Sequence, residues 1–294
     1  MKHFLILFFA MFYIQITNAQ TTDLKIISNI GVQTDYTFEG AKGINLTFQY
    51  NFLPIIEQTH NDTILEDSKF YLKIKLFENN QSVMPAAGYH AIENVDQKLE
   101  YVIVFSGLDF DASKISKKVT QFIPYSALNM PQGFHIMHVQ AQLSGKDAVG
   151  TLYKQTIQKE KIEFDKPATQ IFTMNIDHVE VNPFNSSGQA WDYAIFKTDA
   201  PDVGVNIMVG NTTVYKKNVN DSYMFAAGPD ARNISFTISK NDKVVVKIED
   251  IDIMFHDFIA KWIFSTNKMP GVLYTFKKPS STNIKSCLLT FTYE

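Results

Sequence analysis

Four carboxylates crowd the end of one strand-like run, "VVVKIEDIDIMFHDFIAKW" (244–262). After the β-branched Val244, Val245 and Val246 come Glu249, Asp250, Asp252 and Asp257. In extended backbone, residues two apart point to the same side, so the carboxylates of Asp250 and Asp252 converge. Like charges at that spacing are costly unless a cation or water neutralises them. Asp257 lies beyond a short loop and can fold back toward the same point. Clustered carboxylate oxygens suit a hard cation: Ca²⁺ accepts six to eight oxygens in irregular geometry, whereas zinc favours His and Cys. Solvated turns collect aspartates too, so spacing alone leaves a polar turn and a cation loop both open.

The elements that must position these side chains are strands. "INLTFQYNF" (44–52), "KFYLKIKLF" (69–77), "EYVIVFSGL" (100–108), "GFHIMHVQAQL" (133–143) and "YKQTIQKEKIEF" (153–164) alternate apolar with polar residues. That period of two marks half-buried strands. Turn chemistry separates them in "ENNQS" (78–82), "MPQG" (130–133) and "LSGKD" (143–147). "FDKPATQ" (164–170) interrupts the pattern with a Lys-Pro step, and a second strand group follows from "FTMNIDHVEV" (172–181) to "SCLLTFTYE" (286–294). Seven strands are visible in that group, and an eighth is expected within 269–278. The fold class expected is all-β: two antiparallel β-sandwich domains, over 20–166 and 167–294.

Two aspartate clusters in the second group occur in a recognisable order. Asp250-Ile251-Asp252, followed by Asp257-Phe258-Ile259-Ala260, resembles the third calcium loop of C2 domains. Upstream, "WDYAIFKTDAPDVGVNIMVGNTTVYKK" (191–217) is similar to the first C2 loop and the strands after it, with Ala200-Pro201-Asp202 at the Ser-Asp-Pro position. Val203 stands where the family has proline, and Ala260 where it has glycine. The resemblance covers roughly 172–294. It implies a C2-like sandwich whose Asp192, Asp202, Asp250, Asp252 and Asp257 ligate calcium, with Asp199 able to replace Asp192. Through an ion at the loop tips such a domain bridges to an anionic lipid, a glycan or a protein partner.

The rest of the chain bounds these readings. Lys2, the apolar "FLILFFAMFYI" (4–14) and Thr17-Asn18-Ala19 read as a signal peptide over 1–19. Export follows, to the periplasm, the cell surface or the medium. No second apolar run is long enough to span a bilayer, so no transmembrane segment is expected after signal cleavage. Cys287 is the one cysteine of the chain, so no internal disulfide forms, and its apolar run reads as a buried strand. The net charge is −3 and Arg232 is the one arginine, which excludes the basic stripe of a nucleic-acid binder.

His135 and His138 lie three apart on a strand, hence on opposite faces, and make no joint metal site. Asp109 and Asp111 read as a turn. No nucleophile elbow, phosphate loop or zinc-protease motif occurs, so no catalytic residue and no enzyme is expected. The function expected is a non-enzymatic exported binding protein with a C2-like, calcium-binding domain. The alternative is a metal-free structural or adhesion β-sandwich protein of the cell envelope.

Overall fold

The computed structural model describes residues 21–22, 24–60, 63–65, 68–106, 116–191, 200–226, 228–251, 256–267, 270–278 and 283–294. Alternation sorts the side chains of each strand between core and solvent. In β3 (Ala41–Asn51), Ile44, Leu46 and Phe48 are fully buried. In β4 (Lys69–Glu78), Phe70, Leu72, Ile74 and Leu76 point inward, between the more exposed Lys69, Tyr71, Lys73 and Lys75. These two strands thus bury one face and solvate the other, which is what two packed antiparallel sheets require.

The described residues before 167 form two sheets. One is β2 (Ile27–Phe38), β3 and β7 (Ser116–Pro124). The other runs β9 (Leu152–Lys166), β8 (Gly133–Lys146), β4 and β6 (Glu100–Ser106), with two-residue strands β1 (Thr21–Thr22) and β5 (Gln81–Ser82) at its margins. Aromatic rings bridge the two sheets: Tyr50 and Phe105 lie 4.9 Å apart between centroids. Among the described residues one short α-helix, α1 (Leu53–Thr59), departs from the all-strand expectation. It starts at Leu53-Pro54, where proline's fixed φ and missing N–H are tolerated. Seven residues are too few to leave a helical apolar repeat in the sequence.

The described residues after Pro167 form two further sheets. One holds β10 (Thr169–Val181), β18 (Ile284–Tyr293) and β17 (Tyr274–Lys278), with β13 (Met224–Ala226) and β14 (Ile234–Ser239) sharing the far edge of β10. The other runs β12 (Thr212–Val219), β11 (Val203–Val209), β15 (Lys243–Ile251) and β16 (His256–Ser265). With β10 taken as first and β13 and β14 as a divided fourth strand, the sheets read four-one-eight-seven and three-two-five-six. β17 is the eighth strand expected within 269–278. Phe264 of β16 packs on Phe276 and Phe291 of the opposite sheet at 5.2 Å each. The protein is all-β, built as an antiparallel sandwich fold.

No strand pairs across the 166–169 step among the described residues, yet the two halves are bonded closely. Thr237 N donates to Ala87 O at 2.9 Å and Tyr89 Oη donates to Thr237 O at 3.0 Å. Lys243 N donates to Gly40 O at 3.1 Å, and Lys261 Nζ lies 2.9 Å from Glu39. The buried apolar residues of both halves form one contiguous cluster.

Candidate functional site

β15 decides where the expected aspartates go. Val244, Val246 and Ile248 form its inner row, and Asp250 is next in phase. The same period that aligns Asp250 with Asp252 therefore turns Asp250 into the sandwich, where it is completely buried. A buried carboxylate must be met by donors, and the start of β11 supplies one. Asp202 N donates to Asp250 Oδ1 at 2.8 Å.

Asp202 is fixed from two more directions. Its carbonyl accepts Ile251 N at 3.0 Å, and its own Oδ1 accepts Asp221 N at 2.8 Å. Asp221 has a left-handed φ of 49°, a conformation that Asp tolerates in turns, so the turn after β12 points its amide at Asp202. Asp257 sits opposite Asp250 in the β15–β16 ladder with an exposed side chain. Three of the five expected ligands thus lie at one end of the sandwich, with Asp202 and Asp250 in direct contact. Asp192 and Asp252 lie outside the described residues, as do Asp199, Asp109 and Asp111. Among the described residues, no three His, Cys, Asp or Glu side chains are grouped to hold a metal.

Other residues singled out by sequence take structural places. His135 is buried, with Nδ1 2.7 Å from Glu78 and Nε2 2.9 Å from Pro131 O, while His138 stacks on Phe77 across the sheet's other face. Trp191 is buried and donates from Nε1 to Asn182 O at 2.7 Å. Cys287 is buried, and desolvation pushes its thiol up to about 12, so it is not a reactive thiolate.

The junction between the halves holds a polar cluster that the sequence did not mark. Asp242, 2% exposed, accepts Lys42 N at 3.2 Å on Oδ1 and Ser239 N at 2.9 Å on Oδ2. Thr266 Oγ1 donates to the Asp242 carbonyl at 2.6 Å. Burial pushes the Asp242 carboxyl up to about 6 against these donors. Tyr89 Oη lies 2.8 Å from Ser126 Oγ in the same cluster, and burial raises its phenol. In the sequence, Asp242 looks like an ordinary turn residue of "SKNDK" (239–243), because its partner Lys42 is 200 positions away. A cavity of about 400 Å³ opens beside this cluster, lined by residues of both halves.

No family model matches the chain, and no curated protein matches it. Among solved structures it is similar to the two C2 domains, A and B, of extended-synaptotagmin 2, at 9% identity and a TM-score of 0.31, over 92% of this chain and 97% of that one. It is also similar to human GIVD cytosolic phospholipase A2, at 6% identity and a TM-score of 0.24, over 77% of this chain and 33% of that one. At such scores neither likeness carries an argument about this chain. No helix among the described residues is long and apolar enough to cross a membrane.

Proposed function

We propose that the chain is an exported, non-enzymatic binding protein whose C-terminal half is a C2-like sandwich taking a calcium ion at the end where β11, β15 and β16 meet. One observation supports this reading: Asp202 and Asp250 are bonded together there at 2.8 Å, with Asp257 opposite Asp250 in the ladder. Asp192 and Asp252 would complete the oxygen set. An ion held by incomplete protein ligation keeps positions open for an anionic lipid, a glycan or a protein carboxylate.

Thermal unfolding of the full mature chain, with millimolar Ca²⁺ and with chelator, tests the ion. A ligand at 100 times its Kd adds about 2.7 kcal/mol, a rise of several degrees in the midpoint for a chain of this size. Asp252→Asn abolishes the rise. A midpoint indifferent to calcium removes the ion from the reading.

A metal-free structural or adhesive role is the second reading, and a different observation favours it. Asp202 and Asp250 each already accept a backbone N–H, at 2.8 Å. As such they staple the loop ends without any ion, and calcium then leaves the midpoint unchanged.

A further inference from the structure

The cavity between the two halves contains a feature that neither sandwich alone requires. Lys166, the last residue of β9, lines it and is only 2% exposed. An ammonium withdrawn from water needs hydrogen-bond acceptors or a counter-charge. Among the described residues no hydrogen bond and no ion pair holds the Lys166 ammonium. Asp242 acts on it only at longer range, and burial outweighs that attraction to lower the lysine's pKa.

A lysine stem could fill the same space without an open cavity beside it, but here about 400 Å³ remains. The walls come from both sides of the junction: Ala86, Ala87 and Leu128 from one half, Thr169 and Ile171 from the other. At the rim stands the exposed Asn129, whose side-chain amide can donate. Of the two charged residues in the lining, Glu294 is exposed to solvent and Lys166 is buried, so the one buried cation, an amide donor and short apolar walls fit one anionic ligand group of modest size.

We infer that the junction cavity is a binding site for a small monocarboxylate, with the Lys166 ammonium as its counter-ion and Asn129 as a donor at the mouth. The lining suits a carboxylate chemically: one oxygen for the ammonium, one for the amide, and a short chain to lie against Ala86, Ala87 and Leu128. Because both halves line the site, occupancy also ties them together, and ligand binding reads out as stability of the whole chain.

The test compares propionate with propionamide, which have nearly the same shape but differ in charge, on the full mature chain at constant ionic strength. Propionate raises the thermal midpoint in a saturable way and propionamide does not. Lys166→Met, which keeps the stem and removes the charge, abolishes the propionate response. Asn129→Asp guards against a misfolded Lys166 variant, since it changes an exposed rim residue only. It places a like charge at the mouth and weakens propionate by about tenfold. A stronger response to N-acetylalanine than to propionate assigns the site to a peptide carboxyl terminus, and the reverse order to a free small acid. Indistinguishable responses to propionate and propionamide overturn the proposal, as does an undiminished propionate response in folded Lys166→Met.

Discussion

β15 carries a buried aspartate at each end, and the two ends of this strand do different things. Asp242, just before its start, lies at the junction and reaches back to Lys42 in the other half. Asp250, near its finish, stays local to the second sandwich and meets Asp202 of the neighbouring strand. Both carboxylates accept backbone amides, and Asp242, through both of its oxygens at 3.2 and 2.9 Å, joins parts of the chain that share no sheet. The junction is therefore an architectural joint held by buried polar contacts and close backbone approach. The loop end is a surface where a buried anchor, Asp250, stands beside an exposed carboxylate, Asp257.

The largest effect expected from this difference is at the junction's tightest point. Gly88 has φ +85°, and a Cβ there would meet the Cβ of Phe236 and lie 2.6 Å from Ser235 O. Gly88→Ala combines the left-handed cost of about 1–2 kcal/mol with overpacking of about 1–3 kcal/mol. A loss of about 4 kcal/mol in urea unfolding is expected from the two together. If Gly88→Ala unfolds in two separate transitions, the halves have parted, which sharpens the joint's role. A loss below about 1 kcal/mol, within the range of an ordinary surface substitution, breaks it.

Next comes Asp242→Ala, which leaves two buried amides without acceptors at about 1–3 kcal/mol each. The expected loss is about 3 kcal/mol at about pH 4, and it depends on pH with a definite sign. Burial raises the native carboxyl from 3.8 to about 6, so the folded chain holds this proton more tightly than the unfolded chain does. Between those values the unfolded state binds fewer protons, and the stability that Asp242 confers falls as pH rises. The Ala penalty is thus greatest below about pH 4 and shrinks as pH passes about 6. Comparison with the wild type at each pH cancels the other carboxylates. A penalty that grows from about pH 4 to about pH 7 contradicts the assignment.

The fold was legible because alternation is local. Ile44, Leu46 and Phe48, or Val203, Val205 and Ile207, declare a buried face within a few residues. The joint was not, because its information lies in pairs such as Lys42–Asp242 and Ala87–Thr237, remote in sequence and built from turn-like residues. At the loop end, Asp202, Asp250 and Asp257 were legible as neighbours. The burial of Asp250 was implicit in the same period of two, since the side shared by Val244, Val246, Ile248 and Asp250 is the core side. Helix α1 left no periodic trace in seven residues.

The smallest expected effect separates the two roles open to Asp250. In the presence of chelator, Asp250→Asn keeps an oxygen for the Asp202 amide, so it costs less than about 1 kcal/mol, while Asp250→Ala orphans that amide and costs about 2 kcal/mol. A carboxylate serving only as an acceptor shows this gap between Asn and Ala, and calcium changes neither value. A carboxylate serving an ion shows a second gap: the wild type gains stability from calcium and Asp250→Asn does not, although both keep the Asp202 bond. The amide oxygen preserves the hydrogen bond and removes the charge, so this one substitution divides anchor from ligand at a position where geometry alone presents both.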